Sequence, residues 1–322
     1  MSRIDVHHHI IPPEYIERLD SLGIKQSFGV KFPKWTPEIS LSFMKKNNIR
    51  KAITSITTPG VSFGDKQTSR DLARQCNEYM AKLKRQYPHK FGGFASLPLP
   101  DIEGSLDELK YALDKLNLDG VALLTHYKGK YLGDEIFEPI FAELNKRNAV
   151  VFIHPTDPAG QYDPKLGIPN ALIEATFETT RAVTNMIYTG VTDRYKKINY
   201  ILSHGGGTLP YTGWRVALVK YGQKGKKPPF LRSLYDFIIK GGPEKGLDTL
   251  KNMYYDTALT ASEPALKALE AFVGPDHIVF GSDFVMAKLA PIVAKNLQKY
   301  AGFTEYEHDK IDYMNAVTLF PE

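Results

Sequence analysis

The chain has 322 residues, of which 43% are hydrophobic and 24% are charged, ordinary values for a globular protein with a sizeable core. Its formal net charge is +5, and its densest basic run, residues 224–227, leads into two prolines. Because no aromatic residues are interleaved with these lysines, the run predicts a solvated loop and argues against a nucleic-acid partner.

The single cysteine, Cys76, excludes an internal disulfide and favours a reducing compartment. It lies in a segment whose apolar residues repeat at helical spacing, which predicts a buried side chain rather than a nucleophile. The sequence contains no apolar run long enough for a membrane span, and its N-terminus lacks a signal-peptide pattern. We therefore expect a cytoplasmic protein without a membrane partner.

The first predicted element is a short strand, Arg3–His7, which begins a segment that prolines 12 and 13 terminate. Three consecutive histidines stand at its end. Because alternate side chains of a strand share a face, His7 and His9 point one way and His8 points the other. Two imidazoles on one face at this spacing can bind one metal ion together.

Seven further strand-like runs follow, and amphipathic helical patterns fill most of the intervals between them. The runs are Ile49–Ile56, Phe91–Leu97, Asp119–Leu124, Ala149–His154, Ile198–His204, Asn252–Thr257 and His277–Asp283. Eight such units predict an α/β fold of the (β/α)8, or TIM-barrel, type, as a single domain over residues 1–322. We expect residues 12–48 to form a small cap insertion over the barrel mouth. An open doubly wound sheet would instead carry a glycine-rich turn after its first strand.

A different constellation favours a serine esterase. Residues 60–64 fit the nucleophile elbow of an α/β-hydrolase around Ser62, and the run His204–Gly207 resembles its oxyanion loop. In that fold, however, the oxyanion loop precedes the elbow, and the elbow serine begins a helix. Here Pro59 precedes Ser62 and polar residues delay the helix, so we expect Ser62 in a loop near the barrel mouth and favour the esterase least.

Four of the predicted strands end in residues that can bind a metal. The first ends in His7 and His9, the fifth in His154, the sixth in His204 and the eighth in Asp283. In a barrel these ends meet at one face, where catalytic groups lie. Neutral imidazoles with one carboxylate leave an open coordination position on a bound ion. The pattern therefore predicts a metal-dependent enzyme.

These stretches resemble the amidohydrolase superfamily, and most of all its branch around aminocarboxymuconate-semialdehyde decarboxylase. The resemblance rests on Asp5–His9, Ile153–Pro155, Glu178–Thr180, His204–Gly207, Gly281–Asp283 and Asn315–Phe320. It implies that one divalent ion, zinc first and manganese as the alternative, is held by His7, His9, His154 and Asp283. It also implies that His204 acts beside the ion on the bound water or the substrate.

The same resemblance bears on partners and substrate. Arg215 matches an arginine that crosses a dimer interface to the substrate carboxylate, which implies a homodimer, although its spacing equally fits an ordinary helix-surface arginine. Ser40 stands where that branch has a second substrate-binding arginine, which argues against a substrate with two carboxylates. The apolar rim that begins at Phe284, together with His8, resembles decarboxylases of salicylate-type acids. A small, hydroxybenzoate-like carboxylate in contact with Arg215, Phe284 and His8 is therefore expected.

Two reactions fit these residues. In non-oxidative decarboxylation, Asp283 supplies the proton that replaces the carboxyl group while His204 polarises the substrate or water. In the alternative, metal-bound hydroxide hydrolyses an ester, lactone or amide, and Asp283 shuttles the proton. We predict the decarboxylase. An inactive metal-binding barrel, the non-enzymatic alternative, would be expected to lack a ligand or His204.

Overall fold

The structure is a computed structural model that describes residues 2–223 and 244–321, so the predicted loop at residues 224–227 lies outside the described residues. Eight parallel strands form its centre, each paired with the next. They are β1 (Arg3–Ile10), β4 (Ile49–Ile56), β5 (Phe91–Ser96), β6 (Gly120–Leu124), β9 (Val150–His154), β10 (Asn199–Leu202), β11 (Tyr254–Asp256) and β12 (Ile278–Val279). The other strands form two short hairpins outside this sheet, β2 (Gln26–Ser27) with β3 (Val30–Lys31) and β7 (His126–Tyr127) with β8 (Lys130–Tyr131). Just after β12 the ring closes, because Val6 N–H donates to the Phe280 carbonyl and Asp283 N–H donates to the His7 carbonyl. The predicted (β/α)8 fold is confirmed.

Helices cover the strands on the outside. They are α1 (Pro13–Ser21), α2 (Pro37–Lys46), α3 (Lys66–Gln86), α4 (Ile102–Asp114), α5 (Glu138–Lys146), α6 (Glu174–Tyr188), α7 (Val191–Arg194), α8 (Leu209–Gln223), α9 (Glu244–Lys251), α10 (Glu263–Val273), α11 (Ala290–Lys299), α12 (Glu305–Asp309) and α13 (Asn315–Leu319). None of those within the described ranges is long and apolar enough to cross a lipid bilayer. A cytoplasmic location stays a prediction.

Helix α3 shows how local sequence sets these elements. It begins after Asp65, whose carboxylate accepts the Thr68 N–H and so satisfies one of the free amides of the first turn. Its apolar residues recur at helical spacing and place Leu72, Cys76 and Met80 on the buried face. Cys76 is buried, as predicted, and burial raises the pKa of its thiol above the usual value.

The barrel interior is apolar below the carboxyl ends of the strands. Strand β9 is buried along its whole length, as expected for a parallel strand covered on both faces. The rings of Phe94 and Phe152 stack with their centroids 5.3 Å apart. The Phe152 ring also contacts the His7 ring, at a centroid distance of 4.9 Å. The histidines therefore stand on a packed aromatic floor that restricts their rotamers.

The segment between β1 and β4 contains α1, a short hairpin of β2 (Gln26–Ser27) and β3 (Val30–Lys31), and α2. Its hairpin bonds to residues that follow barrel strands: Ser27 Oγ lies 3.2 Å from Thr58 Oγ1, and Phe28 N–H donates to Asp157 Oδ2 over 2.9 Å. These contacts place the hairpin at the carboxyl ends of β4 and β9. The division into one domain over residues 1–322 with a cap at residues 12–48 stays a prediction.

Candidate active site and metal centre

Three imidazole nitrogens and one carboxylate oxygen converge at the carboxyl ends of the strands. The Nε2 atom of His9 lies 3.0 Å from that of His7 and 3.2 Å from that of His154. Asp283 Oδ1 lies 3.2 Å from His7 Nε2 and 3.3 Å from His9 Nε2. One ligand atom from each residue lies within 4.8 Å of the others, and all four residues are buried. The fold thus brings together the four residues predicted as metal ligands.

The outer nitrogens of two of these rings show how the rings are oriented. His7 Nδ1 lies 2.6 Å from Asp256 Oδ2, and His154 Nδ1 lies 2.8 Å from the Pro155 carbonyl oxygen. Because a carboxylate and a carbonyl only accept hydrogen bonds, both histidines carry a proton on Nδ1 and donate it outward. Their Nε2 atoms therefore face the centre of the group, where metal ligands of this kind are oriented by such outer partners.

The same four atoms test whether a metal fits. Burial opposes a charge on His7, but the carboxylates of Asp256 and Asp283 outweigh it and raise the pKa of His7 to about 10. Burial, with the neighbouring charges of His9 and His7, holds the pKa of His154 well below its usual value. Protons therefore cannot satisfy all the crowded Nε2 lone pairs. A buried set of imidazoles and one carboxylate fits a divalent ion such as zinc or manganese.

Asp283 uses its two oxygens differently. Oδ1 faces the nitrogens of His7 and His9, whereas Oδ2 lies 3.5 Å from His204 Nε2. Burial by itself would raise the pKa of Asp283, but the charge on His7 and the hydrogen bonds from His204 and the other histidines lower it well below its usual value. The Nδ1 atom of His204 is buried without a hydrogen-bond partner among the described residues. His204 thus stands beside the four-residue group, in contact with the carboxylate oxygen that faces away from His7 and His9.

Two residues that hydrogen-bond to the histidines of the site were not predicted from the sequence. Asp256 closes β11 and accepts both from His7 Nδ1 and from the His204 backbone N–H, the latter over 2.8 Å. Ser55 Oγ lies 3.1 Å from His9 Nδ1. Asp256 could have been found, because it is an acidic residue at the end of a predicted strand. Ser55 could not, because only the pairing of β4 with β1 brings it beside His9.

His8 and Phe284 lie to one side of this group. His8 is fully buried, with Nδ1 3.0 Å from Asp5 Oδ2 and Nε2 2.9 Å from Ser40 Oγ. Both of its nitrogens therefore have protein partners, and the substrate contact of His8 stays a prediction. Phe284 is half-buried, and its ring stacks on Phe43 with centroids 4.0 Å apart. An apolar wall therefore adjoins Asp283.

The remaining predicted residues lie elsewhere. Arg215 is exposed on α8 and is not part of the buried group. Ser62 lies in the loop after β4, where its hydroxyl donates to the Leu99 carbonyl, and the following helix begins only at Lys66. Ser62 therefore lies on no strand-to-helix elbow, as the sequence analysis predicts.

Comparisons with known proteins agree with this arrangement. The amidohydrolase family pattern matches residues 4–321. A decarboxylase, macB, of Penicillium terrestre is 40% identical, covering 100% of this chain and 95% of its own length. The 6-methylsalicylic acid decarboxylase acuB of Aspergillus aculeatus is 38% identical, covering 99% of this chain and 96% of its own.

Solved structures share the fold. A crystal structure of an amidohydrolase II superposes with a TM-score of 0.89 and 29% identity over 100% of both chains. A dihydroxybenzoic acid decarboxylase of Polaromonas, with bound manganese and the inhibitor 2-nitroresorcinol, has a TM-score of 0.81 and 21% identity, covering 99% of this chain and 96% of its own. At 21% identity, the similarity to the Polaromonas structure shows only that the fold is shared.

Metal binding should displace a proton from the four-residue group. Because the pKa of His7 is raised to about 10, His7 carries a proton at pH 8 that a bound ion must replace. We expect titration of the metal-free protein with Mn²⁺ to release about one proton per ion, and the affinity to rise with pH up to about 10. Calorimetry in buffers of different ionisation enthalpy measures this release. His154→Ala should weaken binding by about 100-fold or more, whereas His308→Ala should bind normally. Binding without proton release would contradict the charge state assigned to His7.

Proposed function

This chain belongs to the amidohydrolase family, and we propose that it is a metal-dependent decarboxylase of a small 2-hydroxybenzoate-type acid. In this proposal His7, His9, His154 and Asp283 hold one divalent ion. The observation that carries it is the split role of Asp283, which turns one oxygen toward the ligand nitrogens and the other toward His204. Similarity over nearly the whole chain to decarboxylases, one of which acts on 6-methylsalicylic acid, supports the same reaction.

Zinc is our first choice for the ion, and manganese is the alternative. A site with three imidazoles and one carboxylate suits either metal. Three nitrogen ligands favour zinc, whereas the solved dihydroxybenzoic acid decarboxylase contains manganese. When bound, the ion neutralises the negative charge of the substrate and holds its ring in place.

The protein's own residues must deliver one proton to the substrate ring. When the bond between the ring and the carboxyl carbon breaks, its electron pair stays on the ring carbon, and a proton must arrive there as carbon dioxide leaves. Asp283 is the proton carrier, through Oδ2. Because its pKa is held low, Asp283 is ionised at rest and must first take a proton from the acidic substrate or from water. His204, at 3.5 Å from Oδ2, orients that oxygen and polarises the substrate. Delivery of the proton to the ring returns Asp283 to the carboxylate.

The walls of the site favour a flat substrate with a single carboxylate. Phe284 and the half-buried residues Val285 and Met286 follow Asp283 directly, so an apolar surface adjoins the oxygen that carries the proton. At position 40, where a cation would pair with a second carboxylate, the chain has a serine that is fully buried. We therefore propose a salicylate whose remaining ring substituent is apolar, such as an alkyl group.

The exposed face of α8 supports the proposal of a homodimer. Tyr211 is 89% exposed, Trp214 is 47% exposed and Leu218 is 42% exposed. At spacings of three and four residues these side chains share a helix face, and Arg215 lies beside them. An exposed apolar stripe of this kind is typical of a contact surface. We propose that a second subunit covers it and that Arg215 reaches the carboxylate bound by that subunit.

A substrate panel tests the reaction. We expect the zinc- or manganese-loaded protein to release carbon dioxide from salicylates with an apolar substituent, and metal-stripped protein to regain activity when either ion is added. Carbon dioxide release and lactone opening should be measured side by side on hydroxybenzoates and small lactones. Lactone opening without carbon dioxide would establish the hydrolase alternative instead.

His204→Ala tests the division between ligand and acid–base residue. Because His204 touches Asp283 Oδ2 and lies outside the four-residue group, its loss should lower kcat by about 100-fold or more while the bound metal remains. Metal content by elemental analysis and turnover on the same samples decide the case, with His308→Ala as the control. Loss of the ion together with activity would make His204 a ligand.

Mixed dimers test the role of Arg215. Arg215→Ala and Asp283→Asn should each be nearly inactive alone. If Arg215 acts on the partner's site, then mixing the two variants should restore activity, because the heterodimer contains one site with Asp283 and an arginine from the other subunit. A mixture that stays inactive although heterodimers form would refute action across the interface. An active monomer in light scattering would refute the dimer itself.

A further inference from the structure

A continuous chain of buried hydrogen bonds joins the cap to the loop that carries Asp283. Trp35 Nε1–H donates to Ser40 Oγ over 2.8 Å, and Ser40 Oγ lies 2.9 Å from His8 Nε2. His8 Nδ1 lies 3.0 Å from Asp5 Oδ2, which also accepts the Ser282 hydroxyl over 2.6 Å. We call this chain of five residues the relay. The proposed ligand set does not include any of them.

The donors of the relay can be assigned from chemistry alone. Asp5 only accepts, so His8 carries a proton on Nδ1 and donates it to Asp5. Trp35 only donates, so it fills one lone pair of Ser40 and leaves the serine hydroxyl free to donate to His8 Nε2. With these assignments every donor and acceptor between Trp35 and Asp5 has a partner, and each hydrogen bond is donated from the Trp35 side toward Asp5. Such a fully satisfied buried network specifies one geometry and is costly to break at any point.

The relay reaches both chain neighbours of Asp283, the proposed proton carrier. The Ser282 N–H donates to Asp5 Oδ1 over 3.0 Å, and the Phe284 N–H donates to Ser282 Oγ over 3.1 Å. Asp283 therefore lies between two residues whose backbone is tied to Asp5. Its φ of 58° is in the left-handed region, which is uncommon for residues other than glycine although aspartate is enriched there, and the contacts on both sides help to hold it.

The relay also frames the apolar wall. The Phe284 ring packs on the His8 ring with centroids 5.0 Å apart and on the ring of Phe43 at 4.0 Å. Phe43 and Ser40 lie on the same helix, α2, and both are buried. Helix α2 is thus linked to the Asp283 loop in two ways, indirectly through the hydrogen bonds of the relay and directly through the stacked rings of Phe43 and Phe284.

We propose that Ser40, His8 and Ser282 are positioning residues, which fix Asp283 Oδ2 and the Phe284 ring relative to the substrate by coupling them to the cap. As a statement about catalysis this rests on the proposed decarboxylase. As a statement about structure it does not, because the chain of hydrogen bonds between Ser282 and Trp35 is present in the resting protein. The two statements therefore need separate measurements.

Trp35 offers a measurement that is independent of turnover. The chain has only two tryptophans, so Trp214→Phe leaves Trp35 as the sole indole. In that background Ser40→Ala removes the hydrogen-bond partner of Trp35 and should shift its emission. Ser282→Ala does not touch Trp35, yet it should shift the emission in the same direction through Asp5 and His8. Ser69→Ala is the matched control: it removes a buried serine hydroxyl that donates to the Phe63 carbonyl outside the relay, and it should leave Trp35 unchanged.

A double-mutant cycle measures the coupling in catalysis. Ser40→Ala and Ser282→Ala, in otherwise unaltered protein, should each lower kcat by about tenfold, with metal content retained and KM changed less. The kcat of the double variant should be little lower than that of either single variant, because the second substitution acts on a hydrogen-bond chain that the first has already broken. Effects on kcat that multiply, or Trp35 emission that ignores Ser282→Ala, would overturn the proposal. If the emission is coupled but no carbon dioxide is released by any form, then the proposed function fails and the relay stands.

His8→Asn provides a second variant if Ser282→Ala does not fold. The asparagine amide can still donate to Asp5, but its side chain is too short to reach Ser40, so only the cap half of the relay is cut. Because Trp35 keeps its hydrogen bond to Ser40, His8→Asn should shift Trp35 emission in the same direction as Ser282→Ala does. It should lower kcat about as much as Ser40→Ala, and these two changes together should be no worse than one. Normal kcat and emission in His8→Asn would refute the positioning role.

Discussion

The crowding of three imidazole nitrogens around one carboxylate oxygen is the constraint on which the rest of the structure depends. Nε2 atoms 3.0 and 3.2 Å apart repel one another when each presents a lone pair, and burial removes the water that would relieve them. The arrangement persists because each ring is fixed from behind, His7 by Asp256 and His154 by a backbone carbonyl. Strands of a closed barrel supply these anchors at fixed spacing. The fold therefore holds the imidazole nitrogens close together, and a bound cation would offset their repulsion.

Much of this could be predicted from the sequence, because a barrel turns position along the chain into position in space. His154 ends β9, and His204 and Asp283 lie just beyond β10 and β12, so the rule that strand ends meet at one mouth found all three. The strands β10 to β12 proved shorter than predicted, since the buried residues continue past the last paired residue into backbone that turns sharply, with a φ of 53° at His204. A pattern of apolar residues records burial, and burial continues where strand pairing stops.

What could not be predicted is the network behind the site. The sequence does not show that Asp5, Ser55 and Ser40 contact the histidines. The pairing of β1 with β4 brings Ser55 beside His9, the docking of α2 brings Ser40 beside His8, and Asp5 reaches His8 within β1 itself. The same holds for His8. The alternation of side chains along a strand correctly predicted that His8 points away from His7 and His9. The resemblance to salicylate decarboxylases did not predict that the His8 side chain is enclosed between Asp5 and Ser40. In our proposal its influence on a substrate acts through Phe284 and Asp283.

Charge connects these observations to the choice of substrate. Asp5, Asp256 and Asp283 are all buried in this region, so a divalent ion leaves one of their negative charges uncompensated before any substrate arrives. Each further anion in a site of low dielectric constant is costly unless a cation accompanies it. Ser40 adds no positive charge, whereas an arginine at position 40 would. A monoanionic acid therefore needs one additional cation, which is the role proposed for Arg215 in the dimer, and a dianionic acid would need another that the described residues around Asp283 do not supply. In the proposed mechanism, the serine at position 40 thus does two things at once: it provides no cation for a second carboxylate, and through the relay it helps to fix Asp283, the proposed proton donor.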